Sequence, residues 1–143
     1  MKTTTYSATE TSRLAKSIAK KAKPKKEGAF VFGLVGDLGA GKTAFVRSFI
    51  RTLGVKERVA SPTFLIMRSF NIPKGSFNRV YHIDAYRIKS RDLLKLGLRD
   101  ILKDSENVVL VEWADRVKSV LPKNTKWINF SHGKNKNERH IKH

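Results

Sequence analysis

The eight residues Gly36-Asp37-Leu38-Gly39-Ala40-Gly41-Lys42-Thr43 constrain this chain more than any other stretch of it. They follow a run at 29–35 that is β-branched and apolar on both faces, the pattern of a strand buried in a parallel sheet. After them Phe45, Val46, Phe49, Ile50 and Leu53 recur at helical spacing until Gly54 stops the helix. Strand, glycine-rich turn and amphipathic helix in immediate succession predict an α/β layer with parallel central strands. The glycines leave room for backbone N–H groups to curl around an anion, because a Cβ would block the close approach. A helix that begins at the loop turns its positive dipole end toward the same point.

The spacing is G-x-x-x-x-G-K-[ST], which implies that the anion is the phosphate chain of ATP with its Mg²⁺. Gly36, Gly39, Ala40, Gly41, Lys42 and Thr43 form the expected cradle. Lys42, at the start of the helix and expected to point outward, brings a mobile charge to the β- and γ-phosphates. The Thr43 hydroxyl is a Mg²⁺ ligand. Such a loop needs an acidic partner at the end of a neighbouring apolar strand, and Val108-Val109-Leu110-Val111-Glu112 supplies one. Asp84 closes a second apolar strand and has two open roles, holding Mg²⁺ through water or orienting the attacking water. Lys42, Asp84 and Glu112 are therefore the candidate catalytic residues, and Thr43 and Glu112 the candidate metal ligands.

The remaining sequence fits one domain over residues 1–143. Ser7-Ala8-Thr9-Glu10 reads as a capping box opening a helix that runs to about residue 22, before Pro24. Residues 64–72 and 78–83 read as strands joined by the turn Pro73-Lys74-Gly75-Ser76. Leu93, Leu94, Leu96, Leu98, Ile101 and Leu102 suggest short helices broken near Gly97, and 115–121 another helix ended by Pro122. Residues 126–131 and 139–143 are expected to pair as strands. There is no internal repeat and no linker. The fold class is α/β: a single P-loop NTPase domain with a mixed, mainly parallel central sheet flanked by helices.

Charge raises a separate question. Thirty Lys and Arg against twelve Asp and Glu leave +18, which suits an acidic partner such as RNA, although nineteen of the thirty are lysines that can follow composition alone. Arg13, Lys16, Lys20, Lys21, Lys23, Lys25 and Lys26 form a run without an intervening carboxylate, either a nucleic-acid contact or a solvated helix end. Without cysteine, disulfides and Cys-based metal sites are excluded, and the four histidines are too scattered for a metal site. The polar residues 1–10 and the shortness of every apolar run lead us to expect a cytoplasmic protein.

Four motifs together are more specific than the loop alone. Residues 36–43, then Ser61-Pro62-Thr63-Phe64, then His82-Ile83-Asp84-Ala85-Tyr86-Arg87, then Val111-Glu112-Trp113-Ala114-Asp115-Arg116 resemble the bacterial TsaE (YjeE) family in order and spacing. The resemblance covers nearly the whole chain. It implies an ATPase that acts with TsaB and TsaD in forming threonylcarbamoyladenosine on tRNA, with TsaD the transferase and TsaE hydrolysis resetting the complex between turnovers. It further implies that Thr63 senses the γ-phosphate, that Trp113 lies beside the nucleotide, and that Thr11 and Arg139 contact it. His82, Tyr86 and Arg87 would serve the partner interface or support Asp84. The Lys- and Asn-rich stretch around Arg139 departs from the family pattern.

Two other functions stay open on the sequence. A small-molecule kinase on the same fold would need an arginine-bearing lid, for which the segment after Gly97 holds only Arg99 and then Arg116 before the C-terminal stretch. A nucleic-acid-binding protein would not need Thr43, Asp84 and Glu112 together.

Overall fold

Strand β2 (Phe30–Gly36) is the axis on which the molecule is built, because it has parallel neighbours on both sides. One is β5 (Asn107–Glu112), in which all six residues are buried. The other is β6 (Lys126–His132). The computed structural model describes residues 1–59 and 66–143. Around these strands lie β1 (Lys2–Thr5), α1 (Ala8–Lys21), α2 (Lys42–Thr52), β3 (Met67–Asn71), β4 (Arg79–Asp84), α3 (Ser90–Lys95), α4 (Leu98–Lys103), a 3₁₀ segment (Ala114–Val120) and β7 (Arg139–Lys142). The sheet order is β1-β7-β6-β2-β5-β4-β3. Its four central strands are mutually parallel, and β3, β7 and β1 pair antiparallel at the two margins. The expected mixed, mainly parallel α/β sheet is what forms.

Each face of the sheet carries its own core. On one face Phe45 and Phe49 of α2, both fully buried, meet the sheet through edge-to-face aromatic pairs: Phe49 with Phe32 at 5.1 Å and Phe45 with Phe130 at 5.5 Å. Helix α1 closes over the same core with Ala15 and Ala19, whose small side chains suit close packing. On the opposite face Val31, Val109 and Val111 pack under Leu93, Leu98 and Val117 from α3, α4 and the 3₁₀ segment. Truncating either buried phenylalanine of α2 to Ala would cost about 3–5 kcal/mol.

Three local expectations need correction. Strand β1 was not foreseen: its Lys-Thr-Thr-Thr sequence has no apolar alternation, and its partner β7 supplies the ladder instead. The capping box is only half formed. Glu10 N–H donates to Ser7 Oγ at 3.1 Å, but the Glu10 carboxylate accepts from Tyr6 N–H rather than from Ser7. The segment after β5 is a kinked 3₁₀ turn, with Val117 at φ −126°, rather than a regular helix. Of the strand expected at 64–72, residues 64 and 65 lie outside the described residues. No helix among the described residues is long and apolar enough to cross a membrane.

Gly36 joins fold to site. It lies opposite Phe130 in the β2–β6 ladder, and a Cβ there would stand 2.5 Å from the Phe130 carbonyl oxygen. Its φ of +153° adds to the demand for glycine. Gly36→Ala should therefore destabilise the whole domain by about 1–3 kcal/mol through overpacking. Gly39→Ala, at a position with open space around its Cβ, should show only a local backbone cost near 1 kcal/mol. Urea denaturation checks both, and equal midpoints for the two variants would contradict this account.

Candidate functional site

The parallel register gathers the site residues at one edge of the sheet. Leu34 of β2 and Asp84 of β4 both stand opposite Glu112, so β2, β5 and β4 end side by side at Gly36, Glu112 and Asp84. This is the carboxyl edge, where open α/β sheets take ligands. The loop 37–41 leaves β2 and turns directly into α2. Gly39 (φ +75°) and Gly41 (φ +101°) have nothing near their Cβ positions, so conformation alone requires glycine there. Gly41 is the N-cap of α2 and offers no side-chain acceptor, and the first turn contains no acid. The first-turn N–H groups are therefore left to face the cleft.

Lys42 does not point outward as expected. It is only 5% exposed, and its ammonium lies 3.9 Å from the centre of the Trp113 ring while donating to the carbonyls of Gly36 and Asp37. Burial lowers its pKa, and Glu112, Asp37, Asp115 and Asp84 partly oppose that shift.

Glu112 is the most tightly held acid of the site. One carboxylate oxygen, Oε1, accepts from Thr43 Oγ1 at 2.8 Å, and the other, Oε2, from His82 Nε2 at 2.5 Å. Asp84 is more open, with Oδ1 accepting the Tyr86 N–H at 3.0 Å in an Asx turn. Trp113 has φ +57°, the only positive φ at a non-glycine position among the described residues. That turn brings its ring against Tyr86 at 4.9 Å, with the Arg116 guanidinium 4.8 Å from Tyr86 and 5.1 Å from Trp113. Between the loop and these residues lies a cleft of about 510 Å³.

Thr11 and Arg139 come together on the far side of the loop. Both line a small cavity of about 100 Å³ against Gly41 and Ala44. Thr11 is buried and shares a 2.8 Å hydrogen bond with Thr5, and Arg139 donates to the Gly39 carbonyl at 3.2 Å. Thr63, with Ser61 and Pro62, lies outside the described residues. Sequence reasoning missed two features. His82 was tied to Asp84 or a partner, yet it contacts Glu112; its place two residues after the inward-facing Val80 was the available signal. The Arg116–Tyr86–Trp113 stack left no signal in spacing.

A glycine-rich loop opening a helix, a buried lysine and carboxylates on adjacent strand ends define an α/β protein shaped to receive a multiply charged anion. The chain belongs to the TsaE family: residues 5–141 match the family model described as threonylcarbamoyl adenosine biosynthesis protein TsaE. It is 39% identical over 120 residues to the tRNA threonylcarbamoyladenosine biosynthesis protein TsaE of Rickettsia prowazekii (strain Madrid E), covering 82% of this chain and 77% of that one. The protein of the same description from Bacillus subtilis (strain 168) is 38% identical over 122 residues, covering 85% and 72%. The crystal structure of Bacillus subtilis YdiB aligns with TM-score 0.76 at 33% identity, over 99% of this chain and 82% of that one.

The different settings of the two carboxylates predict different stability costs. Glu112→Ala leaves the buried His82 donor and the half-buried Thr43 donor without their acceptor, so it should cost about 1–3 kcal/mol. Asp84→Ala removes one bond in an exposed turn and should cost about 1 kcal/mol or less. Chemical denaturation of both variants tests the ordering.

Proposed function

We propose that this protein binds ATP with Mg²⁺ and hydrolyses it as the ATPase subunit acting with TsaB and TsaD in threonylcarbamoyladenosine modification of tRNA, in the cytoplasm. One observation carries the reading: the Thr43 hydroxyl and Glu112 Oε1 stand 2.8 Å apart beside the free N–H groups of α2. Adjacent oxygen ligands of an octahedral Mg²⁺ are separated by about 2.9 Å, so the pair suits this ion. Among the described residues no group of three or more His, Asp and Glu side chains converges on a metal position. That too suits Mg²⁺, which keeps several waters and is held by one or two protein ligands plus phosphate.

Thr43 and Glu112 would hold the ion, which when bound would supply neutralisation of the phosphate charge. The loop N–H groups orient the phosphate chain, and Lys42 exchanges the Gly36 and Asp37 carbonyls for phosphate oxygens. Asp84, whose Oδ1 among the described residues accepts just the Tyr86 N–H, would orient the attacking water or hold Mg²⁺ through water. The small cavity beside Thr11 and Arg139 suits contacts to the nucleoside. Contact with tRNA is assigned to the assembled complex, since the basic run after Arg13 lies outside the cleft.

Multiple-turnover ATP hydrolysis without an added acceptor, faster in the presence of the TsaB–TsaD pair, is the expected result. Activity only with a small-molecule acceptor would favour a kinase. Lys42→Ala should reduce turnover at saturating ATP by about 100-fold or more. Turnover equal to the unaltered protein would sink the assignment of the loop. ADP should also change tryptophan fluorescence through displacement of Lys42 from the Trp113 ring, and Trp113→Phe should remove that signal. A full signal from the variant would make Trp127 the reporter.

A further inference from the structure

His82 is fully buried on β4, between Arg68 of β3 and Leu110 of β5 in the ladder. An imidazole in that position is costly unless hydrogen-bonded, and a leucine would pack there at lower cost. Its one hydrogen bond among the described residues runs to Glu112 Oε2 at 2.5 Å. A carboxylate oxygen only accepts, so the shared proton sits on Nε2 and the His82 donor is fully committed. The division of Glu112 is specific: Oε2 is taken from behind by His82, while Oε1 faces Thr43.

We propose that His82 is a positioning residue that restricts Glu112 to single-oxygen coordination and so sets the preference of the site for Mg²⁺ over Ca²⁺. This deepens the Mg²⁺–nucleotide reading above and rests on it. Mg²⁺ demands near-ideal octahedral geometry, with one oxygen per carboxylate, whereas Ca²⁺ accepts more ligands and bidentate carboxylates. Freed of His82, Glu112 can rotate and offer both oxygens. The same logic holds wherever an outer hydrogen bond orients a metal ligand, and losing such a bond lowers affinity by about 10–100-fold.

The test measures ADP binding calorimetrically in EDTA, in Mg²⁺ and in Ca²⁺, for the full chain and for His82→Leu, His82→Gln and His82→Asn. The Gln amide nitrogen falls near the place of Nε2, whereas the Asn nitrogen falls near Nδ1. We expect His82→Leu to raise the Mg²⁺ half-saturation about tenfold or more, to change that for Ca²⁺ by less, and to leave ADP affinity in EDTA unaltered. His82→Gln should recover most of the Mg²⁺ response and His82→Asn should not. If His82→Leu does not fold, the Gln–Asn contrast carries the test on its own. Equal Mg²⁺ and Ca²⁺ responses in the Gln and Asn variants, or an unaltered Mg²⁺ response in His82→Leu, overturn the proposal. A wild-type protein whose ADP affinity ignores Mg²⁺ overturns the underlying reading as well, and that pattern differs from a loss confined to the variants.

Discussion

Glu112 stands opposite Leu34 on one side and Asp84 on the other because β5 pairs in parallel with both β2 and β4. That register brings three strand ends to one edge, and the rest of the site depends on it. A slip of one residue would turn Glu112 to the opposite face of the sheet and part it from Thr43. The register is secured by burial on both sides of β5, where Val108 and Leu110 face one core and Val109 and Val111 the other. Gly36 adds a steric condition, since only glycine lets β2 leave the ladder beside Phe130. The stability of the sheet and the geometry of the cleft are thus one requirement.

The cleft is richer in carboxylates than the chain as a whole. The chain carries +18, yet four of its twelve carboxylates, Asp37, Asp84, Glu112 and Asp115, act on Lys42 at the cleft. A site with that many acids repels a bare polyanion and suits an anion that arrives with a divalent cation. Six of the nineteen lysines, at 16, 20, 21, 23, 25 and 26, lie in α1 and the loop after it, away from the cleft.

Much of this was legible in the sequence, for identifiable reasons. The glycine loop announces itself because its conformation permits few residues, and strands buried on both faces read as unbroken apolar runs. Thr43, Asp84, Glu112, Trp113 and Arg139 all reach the loop or the cleft. What escaped were properties that arise only when distant segments meet. β1 is polar and is a strand only because β7 offers it a ladder. Lys42 was read as an outward charge because helix periodicity cannot show Trp113 returning across the cleft. His82 lies two residues before Asp84 on the same face of β4 and reaches diagonally to Glu112, the ladder partner of Asp84, a contact that only the pairing of β4 with β5 creates.

Trp113 shows how closely these parts are tied. A bulky residue at φ +57° is unfavourable by about 1–3 kcal/mol, and such strain persists only where surrounding contacts over-determine it. Here the contacts are the Tyr86 ring, the Arg116 guanidinium and the Lys42 ammonium, each cation adding about 0.5–2 kcal/mol against an aromatic face. The strained residue directly follows Glu112, so the backbone that aims the carboxylate also aims the ring that holds Lys42. In the proposed function, movement of Lys42 toward a phosphate would remove one of the contacts offsetting the strain at Trp113. Lys42 and Glu112 are thus joined twice through their chain neighbours, because Thr43 donates to Glu112 and the Trp113 ring lies against the Lys42 ammonium.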